Sequence, residues 1–159
     1  MSLEGKTALV TGATRGIGKA IAKALADQGA MVVGTATSEN GAESISADLK
    51  AAGAKGFGIV MNVADPDSIE AGLKEINEKA GAPAILVNNA GITRDNLLMR
   101  LKDDDWASVV ETNLSSVYRT SKAVLRGMAK ARWGRVINIS SVVAGMGNPG
   151  QANYCAAKA

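Results

Sequence analysis

Short apolar runs alternate along the chain with longer stretches whose apolar residues return at helical spacing. Thr7–Thr11 (TALVT), Met31–Thr35 (MVVGT), Phe57–Asn62 (FGIVMN), Ala84–Asn88 (AILVN) and Arg135–Ser140 (RVINIS) are strand-sized. They are rich in Val and Ile and lack strict alternation, which suits strands buried on both faces of a parallel sheet. Between the first two, Ile17, Ile21, Ala24, Leu25 and Gln28 lie on helical spacing and Gly29 is a stop signal. Asp65-Pro66 ahead of Ile69, Leu73 and Ile76 predicts another helix, with Asp65 as cap and Pro66 in its first position. Asp103 to Lys130 predicts one extended helix or two joined ones, with Asp103-Asp104-Asp105 as the charge run of a helix N-terminus. The order β-α-β-α-β-α-β-α-β, with right-handed crossovers, predicts an α/β fold built on a doubly wound parallel sheet. No repeat, low-complexity tract or linker divides it, so residues 1–159 read as a single domain. A last helix begins near Asn153 and reaches only Ala159. Its crossover calls for another strand, so the chain is expected to be the front part of a longer protein, truncated before the last strands.

Composition narrows the chemistry. Hydrophobic residues make up 47% and charged residues 21%, values of a soluble globular domain. Histidine is absent, which excludes Ser-His-Asp and Cys-His machinery, histidine-bearing zinc sites and a histidine pH switch. The one cysteine, Cys155, allows no intrachain disulfide. A net charge of +3 is too mild to predict nucleic-acid binding, and no clustered ligands predict a metal. No apolar run approaches signal-peptide or bilayer length, so no membrane association and a cytoplasmic location are expected.

The first strand runs into Thr11-Gly12-Ala13-Thr14-Arg15-Gly16-Ile17-Gly18 and then a helix. Glycines there let the chain turn sharply and bring backbone amides against a pyrophosphate, while the helix N-terminus adds aligned N–H donors. The spacing is G-x3-G-x-G, distinct from the general dinucleotide fingerprint, but its strand-loop-helix setting points to a dinucleotide. An NAD-preferring site would place Asp or Glu at the end of the second strand. That stretch here is Gly34-Thr35-Ala36-Thr37-Ser38, and the first acid is Glu39. Thr37, Ser38 and the Arg15 guanidinium would receive a 2′-phosphate, which favours NADP(H). A merely solvent-facing Arg15 is the competing reading.

Tyr154 and Lys158, four residues apart, share a helix face. A lysine ammonium favours phenolate over phenol, so such a pair can deliver a proton to the alkoxide formed when a carbonyl accepts hydride. An ordinary surface pair has the same spacing. Three neighbours in sequence strengthen the chemical reading. Ser141 lies 13 residues upstream, just past the fifth strand. Asn88-Asn89-Ala90-Gly91 closes the fourth strand, and Asn113 is an amide inside a helical stretch that needs partners or a water.

Taken in order and spacing, the glycine loop, Asn-Asn-Ala-Gly, Asn113, Ser141 and Tyr154-x-x-x-Lys158 resemble the short-chain dehydrogenase/reductase family, and the chain aligns with its first two thirds. Thr35–Ala42, Gly91–Leu98 and Gly150–Tyr154 are similar to the family's bacterial branch acting on 3-oxoacyl-[acyl-carrier-protein] in fatty-acid synthesis. The resemblance implies a Rossmann-type fold, incomplete at its C-terminus. It implies Tyr154 as general acid, and Lys158 as the group that acts on it and binds the nicotinamide ribose. Ser141 would bond the substrate carbonyl, and Asn113 would hold a water in a proton relay. Gly12, Ala13, Thr14, Arg15 and Ile17 would cradle the pyrophosphate, Thr37 would lie at the adenosine end, Asn62 and Val63 beside adenine, and Asn89 near the ribose. It further implies NADPH as cofactor, acyl carrier protein as partner with Arg132 among its docking residues, and a homotetramer.

Arg126, Lys130, Arg132 and Arg135 can also be read simply as a basic helix C-terminus complementing its dipole. Met99 and Trp106 are expected to be packing residues. Two other functions stay open: a short-chain reductase for acyl-CoA, sugar or steroid ketones, and a non-catalytic NADP(H)-binding regulator. A chain of these 159 residues alone is expected to bind NADPH weakly and turn over little.

Overall fold

The structure, a computed structural model, describes residues 2–159. Five strands, β1 (Thr7–Val10), β2 (Met31–Ala36), β3 (Gly56–Val60), β4 (Ile85–Asn88) and β5 (Arg135–Asn138), pair in parallel in the order β3-β2-β1-β4-β5. The helices are α1 (Gly16–Asp27), α2 (Glu39–Ala51), α3 (Pro66–Ala80), α4 (Asp103–Val110), α5 (Ser116–Ala131) and two short ones, α6 (Val143–Met146) and α7 (Ala152–Lys158). This is the Rossmann-type, doubly wound arrangement that the alternating pattern predicts.

The central strands are apolar throughout because both of their faces are covered. Ala8, Val10, Val32, Ile85 and Val87 pack with Ala22, Ile45 and Leu49 of α1 and α2. Leu9, Val33, Ile59 and Leu86 pack on the other side with Ile69, Leu73 and Ile76 of α3 and Val124 and Met128 of α5. Strand β5 is different: all four of its residues are exposed, and it forms an open edge.

The helix starts are finished in different ways. At α3 the Asp65 carboxylate accepts the Asp67 N–H at 3.0 Å, with Pro66 in the first turn as expected. At α2 the Ser38 hydroxyl accepts from Gly41 at 3.2 Å. At α1 the residue before the helix is Arg15, whose side chain makes no capping bond, and no acid occupies the first turn.

Residues 103–131 form one helical path interrupted by a π turn, Glu111–Ser115, where the Ser116 N–H reaches Glu111 O. The acidic run does open α4. Met99 does not pack as expected: it lies on a short 3₁₀ turn (Leu98–Arg100) and is 88% exposed. Trp106, in the first turn of α4, is also exposed, at 42%.

Helices of a parallel sheet run back toward the N-terminal ends of the strands. The end of α5, where Arg132 takes a left-handed backbone (φ 50°), therefore lies opposite the strand tips that hold the loops. Trp133, next to it, stands 4.5 Å beneath the ammonium of Lys6, which precedes β1. Arg132, which the resemblance places among carrier-docking residues, thus stands at the end of the sheet opposite this chain's own strand-tip loops.

Candidate functional site

The connections leaving β1 and β4 diverge to opposite sides, and the crevice above such a divergence is where doubly wound sheets hold ligands. A cleft of about 540 Å3 opens there. Gly12, Thr14, Arg15 and Ile17 line it from the glycine loop, Thr37 from the end of β2, Asn62 and Val63 from the end of β3, and Asn89 from the end of β4. Eight of the residues expected to hold a dinucleotide thus meet in one hollow. A wider hollow of about 1290 Å3 between α3 and α5, lined by Asp67, Glu70, Tyr118 and Arg119 among others, contains none of them.

The loop's shape follows from two glycines and a threonine. Gly12 has φ +65°, and a Cβ there would stand 3.0 Å from Ala90 Cα. On Gly18 a Cβ would overlap Gly12 O and Asn89 Nδ2. The Thr11 hydroxyl accepts the N–H groups of Asn89 and Ala90, each at 3.0 Å, and ties β1 to β4 at the cleft floor. Asn89 spends its amide nitrogen on Thr11 O (2.9 Å) and Gly12 O (3.0 Å). It lines the cleft, but its NH2 group holds the loop. Ala13 turns the other way: its N–H donates to Thr35 O and its methyl lies in the core, so it gives shape to the loop and no surface to the cleft.

These residues fit a dinucleotide. The first-turn amides of α1 open on the cleft with no side-chain cap or acid competing for an anion. Arg15, Thr37 and Ser38 are all exposed at its mouth, and no carboxylate ends β2. When bound, a nicotinamide dinucleotide supplies hydride chemistry here. The Arg15 guanidinium and the two hydroxyls would hold a 2′-phosphate.

The Tyr-Lys pair lies on α7, with both side chains partly exposed. Lys158 Nζ donates to Ile139 O at 2.8 Å, just past β5, and the Ser140 hydroxyl donates to Lys158 O at 2.6 Å. A Cβ on Gly91 would stand 3.1 Å from Asn113 Oδ1 and 3.7 Å from Lys158 Nζ. Gly91 lines the cleft, so the ammonium sits at its edge, beside Asn113. Burial pushes the Lys158 pKa below the ordinary lysine value. Ser141 lies three residues past the end of β5 and leads into α6.

Asn113 is almost fully buried and finds its partners in protein. Its Oδ1 accepts the Ile92 N–H and its Nδ2 donates to Ile92 O, both at 2.8 Å. The amide is thereby committed to a loop backbone. Its main chain lies in the π turn, where the regular carbonyl ladder is broken.

A model of the short chain dehydrogenase family matches residues 6–159. The chain belongs to that family. Among short chain dehydrogenases with established names it is 64% identical over all of its 159 residues to the 3-oxoacyl-[acyl-carrier-protein] reductase FabG of Pseudomonas aeruginosa and to those of Vibrio harveyi and Escherichia coli. In each case it spans 64% of the relative's length.

Three participants in this short chain dehydrogenase's site escaped the sequence. Thr35 Oγ1 accepts the Gly12 N–H at 3.2 Å, Ile92 serves Asn113 through its backbone, and Asn153 is completely buried beside Tyr154. A backbone contribution leaves no residue-type signal. Asn153 adjoins a marked tyrosine, which was the one available hint.

Proposed function

We propose that the protein carrying this chain reduces 3-oxoacyl-[acyl-carrier-protein] thioesters with NADPH, in the cytoplasm and as a homotetramer, for fatty-acid synthesis. The observation that carries this reading is Lys158 Nζ at the Gly91–Asn113 corner of the dinucleotide cleft, one helical turn from Tyr154. Identity of 64% to three reductases of that name supports the choice of thioester. Exposed Leu114, Tyr118 and Leu125 on α4–α5 support assembly with further copies.

NADPH, when bound, would supply hydride to the 3-oxo carbon, and the negative charge that this leaves on oxygen is what the chain's own residues answer. Ser141 holds that oxygen by a hydrogen bond, and Tyr154 gives it the phenolic proton, which completes the 3-hydroxyacyl thioester. Lys158 has three N–H donors. One is fixed on Ile139 O, which leaves the others to face the ribose and the phenol oxygen. Arg15 and Thr37 select NADPH over NADH. A carrier docked at Arg132 would be offered to a crevice other than this chain's own, since that residue stands at the opposite end of the sheet.

The test is NADPH oxidation by the protein with 3-oxoacyl-carrier thioesters beside acyl-CoA, sugar and steroid ketones. Preference for the carrier thioester is expected, with a Tyr154→Phe rate lower by about 10²–10⁴-fold and NADPH binding retained. Equal rates for Tyr154→Phe and parent, or no thioester turnover, would overturn the proposal.

A further inference from the structure

The segment leading into α7 is bonded to the loop after β4 at three successive points. Asn96 N–H donates to Gly150 O at 2.9 Å. The Gln151 amide donates to both Asp95 carboxylate oxygens, at 3.2 and 3.1 Å. Asn153 Nδ2 donates to Arg94 O at 2.9 Å, while its Oδ1 accepts the N–H of Tyr154 at 2.8 Å. Asn153 has no exposed surface, and both ends of its amide are satisfied. Loss of either partner would strand a buried polar group.

The same loop is held at its other end. Ile92 is fixed by both functional atoms of Asn113. A continuous path therefore runs from the π turn through Ile92 and Arg94 to Asn153 and the backbone of Tyr154. Helix α7 has only seven residues and no side-chain cap from the residue before it. So short a helix does not hold its own first turn in place. The bond of the Asn153 amide to Arg94 O and the Asp95–Gln151 pair supply that hold by tying the turn to the loop after β4.

We infer that Asn153 is a positioning residue for Tyr154, working with Asp95 and Gln151 as a clasp between the loop 92–96 and the Tyr-Lys helix. Its relevance to turnover rests on the reductase reading, but the placement of Tyr154 can be read without it. Asn113 works at the far end of the same path, so both asparagines set the proton donor through one loop. Arg94 extends the path to α4, where its Nε lies 4.0 Å from an Asp105 carboxylate oxygen.

The experiment uses the protein grown on tyrosine labelled with carbon-13 at Cζ, with the Tyr154 resonance assigned from Tyr154→Phe. The variants are Asn153→Asp, which keeps the acceptor for Tyr154 but cannot donate to Arg94 O, and the doubly substituted Asp95→Ala, Gln151→Ala. The Tyr154 resonance is expected to move or broaden while that of Tyr118, on α5, stays in place. With NADPH and the carrier thioester, kcat should fall about ten- to a hundredfold with KM for NADPH unchanged. If Asn153→Asp fails to fold, the doubly substituted protein decides, because Asp95 is exposed and Gln151 only half-buried. Folded variants with the parent's Tyr154 resonance and kcat would overturn the inference. A parent with no thioester turnover would overturn the reductase reading alone, and the resonances would still decide the clasp.

Discussion

Helices α1 and α3 begin in equivalent places, each after the C-terminal tip of a parallel strand, yet their first turns are completed differently. At α3 the chain satisfies itself: Asp65 accepts from Asp67, Pro66 has no N–H that needs an acceptor, and Asp67 faces the positive end of the dipole. At α1 there is no cap, no acid and a cation, Arg15, where a cap would sit. The glycines of that loop bring its backbone within contact of Ala90 and Asn89. An unfinished helix end costs stability, and the deficit at α1 coincides with the cleft. The difference separates a turn built for the fold from one built for an anionic ligand.

Substitutions can break this contrast. Gly18→Ala should do most, because its methyl would meet Gly12 O, a backbone atom that cannot swing aside. A loss of about 1–3 kcal/mol in urea unfolding and on the order of 100-fold in NADPH affinity are expected. Gly72→Ala on α3 meets mainly the terminal methyl of Met61, which can move, and should leave affinity unchanged. Equal effects of the two would show that the loop has no special geometry.

Exchanging the two kinds of start should give opposite signs. Arg15→Asp offers α1 a cap like that of α3, and is expected to raise stability by up to ~1 kcal/mol while weakening NADPH about tenfold or more by titration. Asp65→Ala should lower stability by about 1 kcal/mol in the same unfolding assay and leave NADPH affinity where it was. NADPH affinity indifferent to Arg15→Asp would break the assignment of α1 as the anion site.

The smallest effect concerns Lys158, whose burial lowers its pKa below the ordinary 10.5. Between the folded value and 10.5 the unfolded chain binds the extra proton, so stability should rise with pH through that window. Urea midpoints measured across it should slope upward in the parent and lose that contribution in Lys158→Met. An unchanged slope would mean that the ammonium is better hydrated than its contact with Ile139 O suggests.

Much of this was legible beforehand because burial writes itself into residue type. Strands covered on both faces must be apolar throughout, which marks the central ones, while the exposed β5 is legible only from its Val-Ile run; all five lie within a residue or two of the predicted bounds, as does the Asp65–Pro66 start of α3. The π turn was not legible: a shift of one hydrogen bond in the helix ladder leaves the apolar spacing nearly intact. Asn113 marked the place, but its partner was a backbone 21 positions away. The resemblance brings Ala13 and Asn89 to the cofactor without saying that one faces the core and the other grips Gly12. For Arg132, sequence distance does not tell which end of the sheet its helix reaches.

From the amino-acid order alone came the alternation of strands and helices, the glycine turn and the Tyr-Lys spacing. These depend on short-range preferences and on how much of each element must be hidden from water. Tertiary structure alone decided that Lys158 stands at the cleft edge beside Asn113, that Asn153 joins Tyr154 to a distant loop, and that Arg132 lies far from both. Those facts depend on which segments β1, β4 and α7 bring within hydrogen-bond reach. Bonds between side chain and distant backbone leave no periodic trace in the chain.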